Sequence, residues 1–287
     1  MTTTNNTNNI NDKVLFITGA STGIGLAITK YFLEKGYKVA ATSRSKENLL
    51  KVVGNNDPNQ FLALENDLLN DEAIKKTVEE VVSTFGRIDI VVNNAGFGYY
   101  GPAEGHTMQD YKNLFDINVF SYASVMSHVT KHLKPGSHLF NVSSICSTWA
   151  FPLFASYTAT KFALDGLTES YAAEVKELLG INVTILNLGT FQSSFQSGTR
   201  EPSIDLKAKY ASVYASAAEV MKTLEWKDPV KIAEIIQQVS DRQGPAPLHL
   251  FIGPDSDHLA RQKIKLLQKD LDDNVDLTVH KFLPTSA

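Results

Sequence analysis

Cysteine occurs once in the 287 residues, at Cys146. A single thiol cannot close an intrachain disulfide or build a cysteine-ligated zinc site, and it fits a reducing compartment. An excess of one charge is lacking too. Lys and Arg number 27 against 31 Asp and Glu, a formal net charge of −4. That balance argues against non-specific nucleic-acid binding and against a polybasic membrane anchor. No apolar run approaches the ~18 residues that would suggest a membrane span. The N-terminus lacks the basic-then-apolar layout of a secretory signal. The C-terminal Pro284-Thr285-Ser286-Ala287 is neither a peroxisomal nor a prenylation tail. The expectation is a cytoplasmic protein with neither a nucleic-acid nor a membrane partner.

What is present is ordinary globular material, 43% hydrophobic and 20% charged, enough for a sizeable core. Residues 1–12, with Asn at 5, 6, 8, 9 and 11, read as a disordered polar leader. From Lys13 the pattern alternates. Short apolar runs (Val14–Ile17, Lys38–Thr42, Phe61–Glu65, Ile88–Val92, His138–Val142, Ile181–Leu186) are separated by helical stretches. The first helix spans Gly23 to Lys35, closed by Gly36, and another covers Asp71 to Phe85. A third runs from Thr107 to His132 with an irregular middle. Such strand–helix–strand repeats imply a doubly wound α/β domain, a parallel sheet of about seven strands with helices on both faces. No compositional break divides 13–253, which is expected to form one domain. Residues 192–228 interrupt the rhythm as a polar-aromatic stretch, expected to be a mobile segment over a substrate. Residues 254–287 form a helical tail whose Ala260, Ile264, Leu267 and Leu271 share a face, so the tail should dock somewhere.

The first strand runs into Thr18-Gly19-Ala20-Ser21-Thr22-Gly23-Ile24-Gly25 and then a helix. Glycines there let the backbone approach a pyrophosphate, whose charge the helix N-terminus favours. Further along come Asn93-Asn94-Ala95-Gly96 after the fourth strand and Asn118 in the next helix. Asn141-Val142-Ser143-Ser144 ends the fifth strand, and Tyr157-Thr158-Ala159-Thr160-Lys161 follows thirteen residues after Ser144. In this order and spacing the chain resembles the short-chain dehydrogenase/reductase family, single-domain TGxxxGxG/NNAG/YxxxK branch, over roughly residues 13–253. The resemblance implies a Rossmann fold and an NAD(P)-dependent enzyme acting on CH–OH groups. It also implies a set of roles. Tyr157 exchanges a proton with the substrate oxygen, Ser144 hydrogen-bonds that oxygen, Lys161 also holds the nicotinamide ribose, and Asn118 positions a relay water. Ser143 is the competing serine, but neighbours on a strand face opposite ways, so only one can serve, and Ser144 is favoured. Gly19, Ser21, Thr22, Gly23, Ile24 and Gly25 would cradle the cofactor, with Asn94, Ala95 and Gly96 beside them. Asp67 and Leu68 would contact the adenine. Gly189, Thr190 and Ser193 would meet the carboxamide and phosphates.

Two departures from the family stand out. The usual Pro-Gly after the sixth strand is Leu188-Gly189, and a common glycine is replaced by Ser121. The acidic residue that accepts from an NAD ribose is also missing after the second strand. Ser43 and Arg44 stand there, and Arg44 can pair bidentately with a 2′-phosphate, so NADP(H) is expected in preference to NAD(H).

Tyr157 and Lys161, four apart, share a helical face. For the tyrosine to act as a base at neutral pH, its pKa must fall from about 10 to about 7, about 4 kcal/mol. A cation ~4 Å away supplies that only in a partly desolvated site. Phe97, Tyr99 and Tyr100, Phe151 and Phe154, and Phe191 and Phe195 fall on three segments expected to converge near the nicotinamide. Lys161 is the only cation in those segments, with Arg200 the one reservation. An apolar ketone or aldehyde is therefore the expected small-molecule substrate, interconverted with its alcohol. His128 and His132 share a helical face without a third ligand, so no metal is expected. A non-enzymatic NADP(H)-sensing protein of the same fold is the alternative, although such proteins usually lose the Tyr or Lys that this chain keeps. An epimerase or dehydratase of the extended branch would need TGxxGxxG and a larger C-terminal domain. The helices carrying Asn118 and Tyr157 commonly form an interface in similar proteins, so a homodimer or homotetramer is expected.

Overall fold

The computed structural model describes residues 12–242, 244–279 and 281. Apart from Asp12, the polar leader lies outside the described residues, as does the end of the tail. The strands are β1 Val14–Ile17, β2 Lys38–Ser43, β3 Phe61–Glu65, β4 Ile90–Asn93, β5 His138–Val142, β6 Asn182–Leu188 and β7 His249–Ile252. The helices are α1 Gly23–Glu34, α2 Lys46–Val53, α3 Asp71–Phe85, α4 Met108–Phe115, α5 Ser121–Thr130 and α6 Ala155–Leu179. After β6 come α7 Phe195–Gly198, α8 Ala211–Lys222, α9 Val230–Ser240, α10 Pro254–Asp273 and α11 Val275–Thr278. All seven strands are parallel, in the order β3-β2-β1-β4-β5-β6-β7.

A parallel sheet must be covered on both faces, and the side-chain period of two shows how. Leu15, Ile17, Val39 and Ala41 face one core, against Ile28 and Phe32 of α1 and Ile232 and Ile236 of α9. Val14, Phe16 and Ala40 face the other, against Ile74 and Val78 of α3, Val125 and Val129 of α5, and Val175 of α6. The expected strands and the Rossmann-type α/β class are therefore observed.

Three local features shape the site. The long helix expected over 107–132 is irregular in its middle, as its pattern suggests. A capping box of Thr107 and Asp110 starts α4, a π-helical turn over Asp116–Phe120 follows, and α5 resumes the helix. The short α2 was not anticipated; Ser45 caps it by accepting from the Asn48 amide. Residues 192–228 are tied down at several points. Gln192 N donates to Lys227 O at 2.8 Å. Ser203 donates to Asp110 through Oγ at 2.8 Å and through its amide at 3.2 Å. The tail is helical, but its apolar face is not covered: Ala260 is buried, whereas Ile264, Leu267 and Leu271 are 65%, 49% and 66% exposed. Within this chain, the described residues leave that face open beyond Ala260. Helical spacing reveals an amphipathic stripe and says nothing of what covers it. Among the described residues, no helix is long and apolar enough to cross a membrane.

Candidate active site

The parallel strands deliver all the singled-out segments to one edge of the sheet, at their carboxyl ends. There the β1–α1 turn is held by Asn94, whose Nδ2 donates to Thr18 O and Gly19 O, each at 3.0 Å. In return Thr18 Oγ1 accepts from the amides of Asn94 and Ala95. Gly19 sits at φ +69°, and a Cβ on it would lie 2.8 Å from Ala95 Cα, so only glycine allows the two loops this close. Gly25, buried in α1, and the half-buried Ser21, Gly23 and Ile24 complete the turn.

Two observations fit a dinucleotide here. Ser45, Asn70 and Thr107 cap α2, α3 and α4 with their side chains, but Thr22 makes no such bond to α1. The N-terminal amides of α1 thus remain available to an anion. Beside it, Asn66 is buried with neither Oδ1 nor Nδ2 partnered, and an orphaned buried amide is costly unless a ligand satisfies it. Asn66 joins β3 to Asp67 and Leu68; Asp67 is exposed and accepts from the Leu69 amide at 3.0 Å. The Asn66 amide donates to Ser43 O at 2.9 Å, which brings the two strand ends together. Ser43 is buried and bonded to Ser45, while the adjacent Arg44 is exposed.

Asn118 is fully buried in the π-helical turn. Its Oδ1 accepts from the Phe97 amide at 3.1 Å, and its Nδ2 donates to Phe97 O at 2.9 Å and Thr160 Oγ1 at 3.1 Å. It thereby ties the loop after Gly96 to the helix of Tyr157. The two serines after β5 part as the pleat requires. Ser143 Oγ donates to the buried Asp165, whereas Ser144 turns the other way, its Oγ accepting from the Cys146 amide at 3.1 Å and lying close enough to Tyr157 to favour its ionisation. Lys161 is buried, donates to Val142 O at 2.9 Å, and lies 5.7 Å from the ring centroids of both Tyr157 and Tyr122. Burial pulls its pKa down to about 8, opposed by Asp165 and Cys146. Burial also pushes the Tyr157 phenol well above its usual value, with Cys146 adding and the neighbouring Ser144 opposing. The depressed tyrosine that the sequence arithmetic required is therefore not what the chain alone produces. With the ammonium bonded to a carbonyl, desolvation wins and the phenol stays protonated.

Around Tyr157 lies an aromatic cluster. Tyr99, Leu114 and Cys146 are buried with it, and Phe97, Phe151, Phe154 and Phe195 pack against them. Phe195 lies 4.9 Å and Phe154 6.3 Å from the Tyr157 ring centroid. Phe191 is elsewhere. It is buried in the sheet core with Leu188 and Ile252 and pairs with Lys227, so its place among the pocket residues is corrected. The segment after β6 has a support that the sequence did not reveal: Asp255, in the first turn of α10. Its Oδ2 accepts from the Thr190 amide at 2.6 Å, and its Oδ1 pairs with Lys227 at 2.8 Å. A Cβ on Gly189 would strike that carboxylate at 2.3 Å. Ser193 Oγ accepts from the Phe195 amide at 3.3 Å, and Ser194 Oγ is 2.9 Å from Thr22 Oγ1, so this segment reaches the glycine turn. His128 faces Asp71 at 3.0 Å, and among the described residues no group of three potential metal ligands converges.

A comparison with known proteins agrees with this geometry. Residues 13–203 match the family described as short chain dehydrogenase. Oxidoreductase BOA17 of Botryotinia fuckeliana is 30% identical over 89% of this chain and 94% of its own. The NADPH-dependent aldehyde reductase 1, chloroplastic, of Arabidopsis thaliana is 34% identical over 59% of this chain and 62% of its own. A short-chain dehydrogenase from Streptomyces avermitilis superposes with a TM-score of 0.82 at 28% identity, covering 94% of this chain and 98% of that one. Sequence motifs, sheet order and relatives converge, and the chain belongs to the short-chain dehydrogenase family as an oxidoreductase.

Proposed function

We propose that this oxidoreductase reduces an apolar ketone or aldehyde with NADPH, and in reverse oxidises the alcohol, through Ser144, Tyr157, Lys161 and Asn118. The observation that carries the reading is Tyr157 buried inside an aromatic cluster, with Ser144 beside it and Lys161 on the next turn. Bound at this edge of the sheet, NADPH would supply a hydride for the carbonyl carbon. Ser144 orients the carbonyl oxygen, and the protonated Tyr157 hydroxyl gives it the proton. Lys161 keeps a positive charge beside the phenolate that results and offers its ammonium to the ribose. Asn118 holds the loop after Gly96 in register with Tyr157. The glycine turn Gly19–Gly25 and the unpartnered Asn66 receive the dinucleotide, and the exposed Arg44 meets the 2′-phosphate. The same reading has the chain self-associate over α4–α6, where Phe120 and Phe162 are exposed, and work in the cytoplasm, which suits its free buried Cys146.

NADPH consumption with a panel of apolar carbonyls tests the activity, and Tyr157→Phe tests the assignment. The variant is expected to fold and bind NADPH but to lose turnover by about 10²–10⁴-fold, the usual contribution of a proton-transfer group. Near-normal turnover in Tyr157→Phe places the proton donor elsewhere.

A further inference from the structure

Residues 192–228 carry five cations: Arg200, Lys207, Lys209, Lys222 and Lys227. Four are matched to carboxylates, Lys207 to Glu201, Lys209 to Glu104, Lys222 to Glu219 and Lys227 to Asp255. Arg200 has no carboxylate within ion-pair distance among the described residues. Its guanidinium lies over the Phe97 ring, 4.2 Å from the centroid. Phe97 is the residue anchored to Asn118, and it packs against the cluster that contains Tyr157. The arginine is also fixed by its backbone. Its amide donates to Gly98 O, and its carbonyl accepts from the Tyr100 amide, each at 2.9 Å. An unpaired positive charge is thus built into the rim of an otherwise apolar site.

We propose that Arg200 is a specificity-determining residue, and that it receives a carboxylate at the far end of an otherwise apolar carbonyl substrate; this rests on the carbonyl reduction proposed above. The physical argument is one of geometry. A guanidinium stacked on a ring has its face satisfied and its in-plane N–H edge free, the edge that pairs bidentately with a carboxylate. The carbonyl has to reach Ser144 and Tyr157, whereas Arg200 lies over Phe97, a ring that packs against the Tyr157 cluster. An apolar body must therefore span the aromatic cluster between the two polar ends. On this reading a small keto acid, its carboxylate next to the carbonyl, is expected to be a poor substrate.

The test uses the full chain, NADPH and matched substrate pairs. Each pair is a ketone joined through an aromatic or alkyl spacer to a carboxylate, and the methyl ester of the same compound. At low salt the acid is expected to exceed its ester in kcat/KM by roughly tenfold, the usual scale for a hydrogen bond between charged partners. Arg200→Met should remove that preference and leave the ester unchanged, while Arg200→Lys keeps part of it as a point charge. Raising the salt to about 300 mM should narrow the wild-type preference and leave the Arg200→Met ratio where it was. Circular dichroism and a melting curve establish that the variants fold. An acid-to-ester ratio equal in wild type and Arg200→Met overturns the inference. So does an equal loss on both compounds, which would make Arg200 a support for the loop. If the ester is reduced and only the ratio fails, carbonyl reduction stands without the inference; if neither compound is reduced while NADPH binds, both fall.

Discussion

Ser143 and Ser144 are chemically the same and adjacent in the chain, yet the alternation of an extended chain turns one to Asp165 and the other toward Tyr157. That separation was legible because it depends only on a period of two. Asp165, which binds Ser143 and Asn187 in the interior, was not legible, since its partners come from β5 and β6. Phe191 and Phe195 show the same limit. Four residues apart in the chain, one enters the sheet core and the other the site. Arg44 permits a direct test at this scale. It is exposed beside the end of β2, without a carboxylate neighbour in the chain to accept an NAD ribose hydroxyl there. Arg44→Ala should weaken NADPH by about 1.5–3 kcal/mol in a binding titration and leave NADH nearly unchanged, the effect shrinking with salt. Equal losses for both cofactors would remove Arg44 from the 2′-phosphate site.

Elements with long or strongly periodic patterns were the readable ones. The first six strands and helices α1 and α3 announce themselves by apolar spacing, whereas α2 has only eight residues, with only Leu49 and Val53 buried. The tail stripe was readable as a helix, but its spacing does not say what covers it. Where α10 does engage the protein is at its first turn, through Asp255 on the Gly189–Thr190 loop and Ser256 Oγ on Asn187 O at 2.7 Å. This brace stands where the family has a stiffening proline and this chain has Leu188. Asp255→Ala leaves the Thr190 amide and the Lys227 ammonium without their partner. We expect a loss of about 1–2 kcal/mol in stability and several-fold weaker NADP(H) binding, with Asp255→Asn intermediate because its amide oxygen still accepts from Thr190. Melting curves and cofactor titrations read the two effects separately. A lowered melting temperature with unchanged cofactor affinity would confine Asp255 to holding the fold.

At the scale of the whole molecule, His138 links the sheet to pH. It is buried in β5, hydrogen-bonded to Thr184 Oγ1 at 2.9 Å and stacked on Phe140, and burial drives its imidazole down to about 3. The unfolded chain takes up that proton near pH 6.5, and the folded chain does not until about 3. Stability is therefore fully present above pH 6.5 and is lost progressively as the pH falls. By pH 5 the loss reaches about 2 kcal/mol. Urea unfolding at pH 7 and pH 5 should show it, with a smaller difference in His138→Gln. A variant as acid-sensitive as the wild type would assign the effect to other groups.

The strand order carries a consequence for synthesis. β1 is made first but sits between β2 and β4, and its second edge is paired only when Ile90–Asn93 arrives, some fifty residues after β2 ends at Ser43. At ~5–20 residues per second, the Val14–Ile17 segment spends ~3–10 s with one side open on the ribosome. An apolar tetrapeptide with a free edge is a template for the wrong partner. The nascent chain is thus most exposed to misassembly before the NNAG loop has been translated, and most in need of a chaperone then.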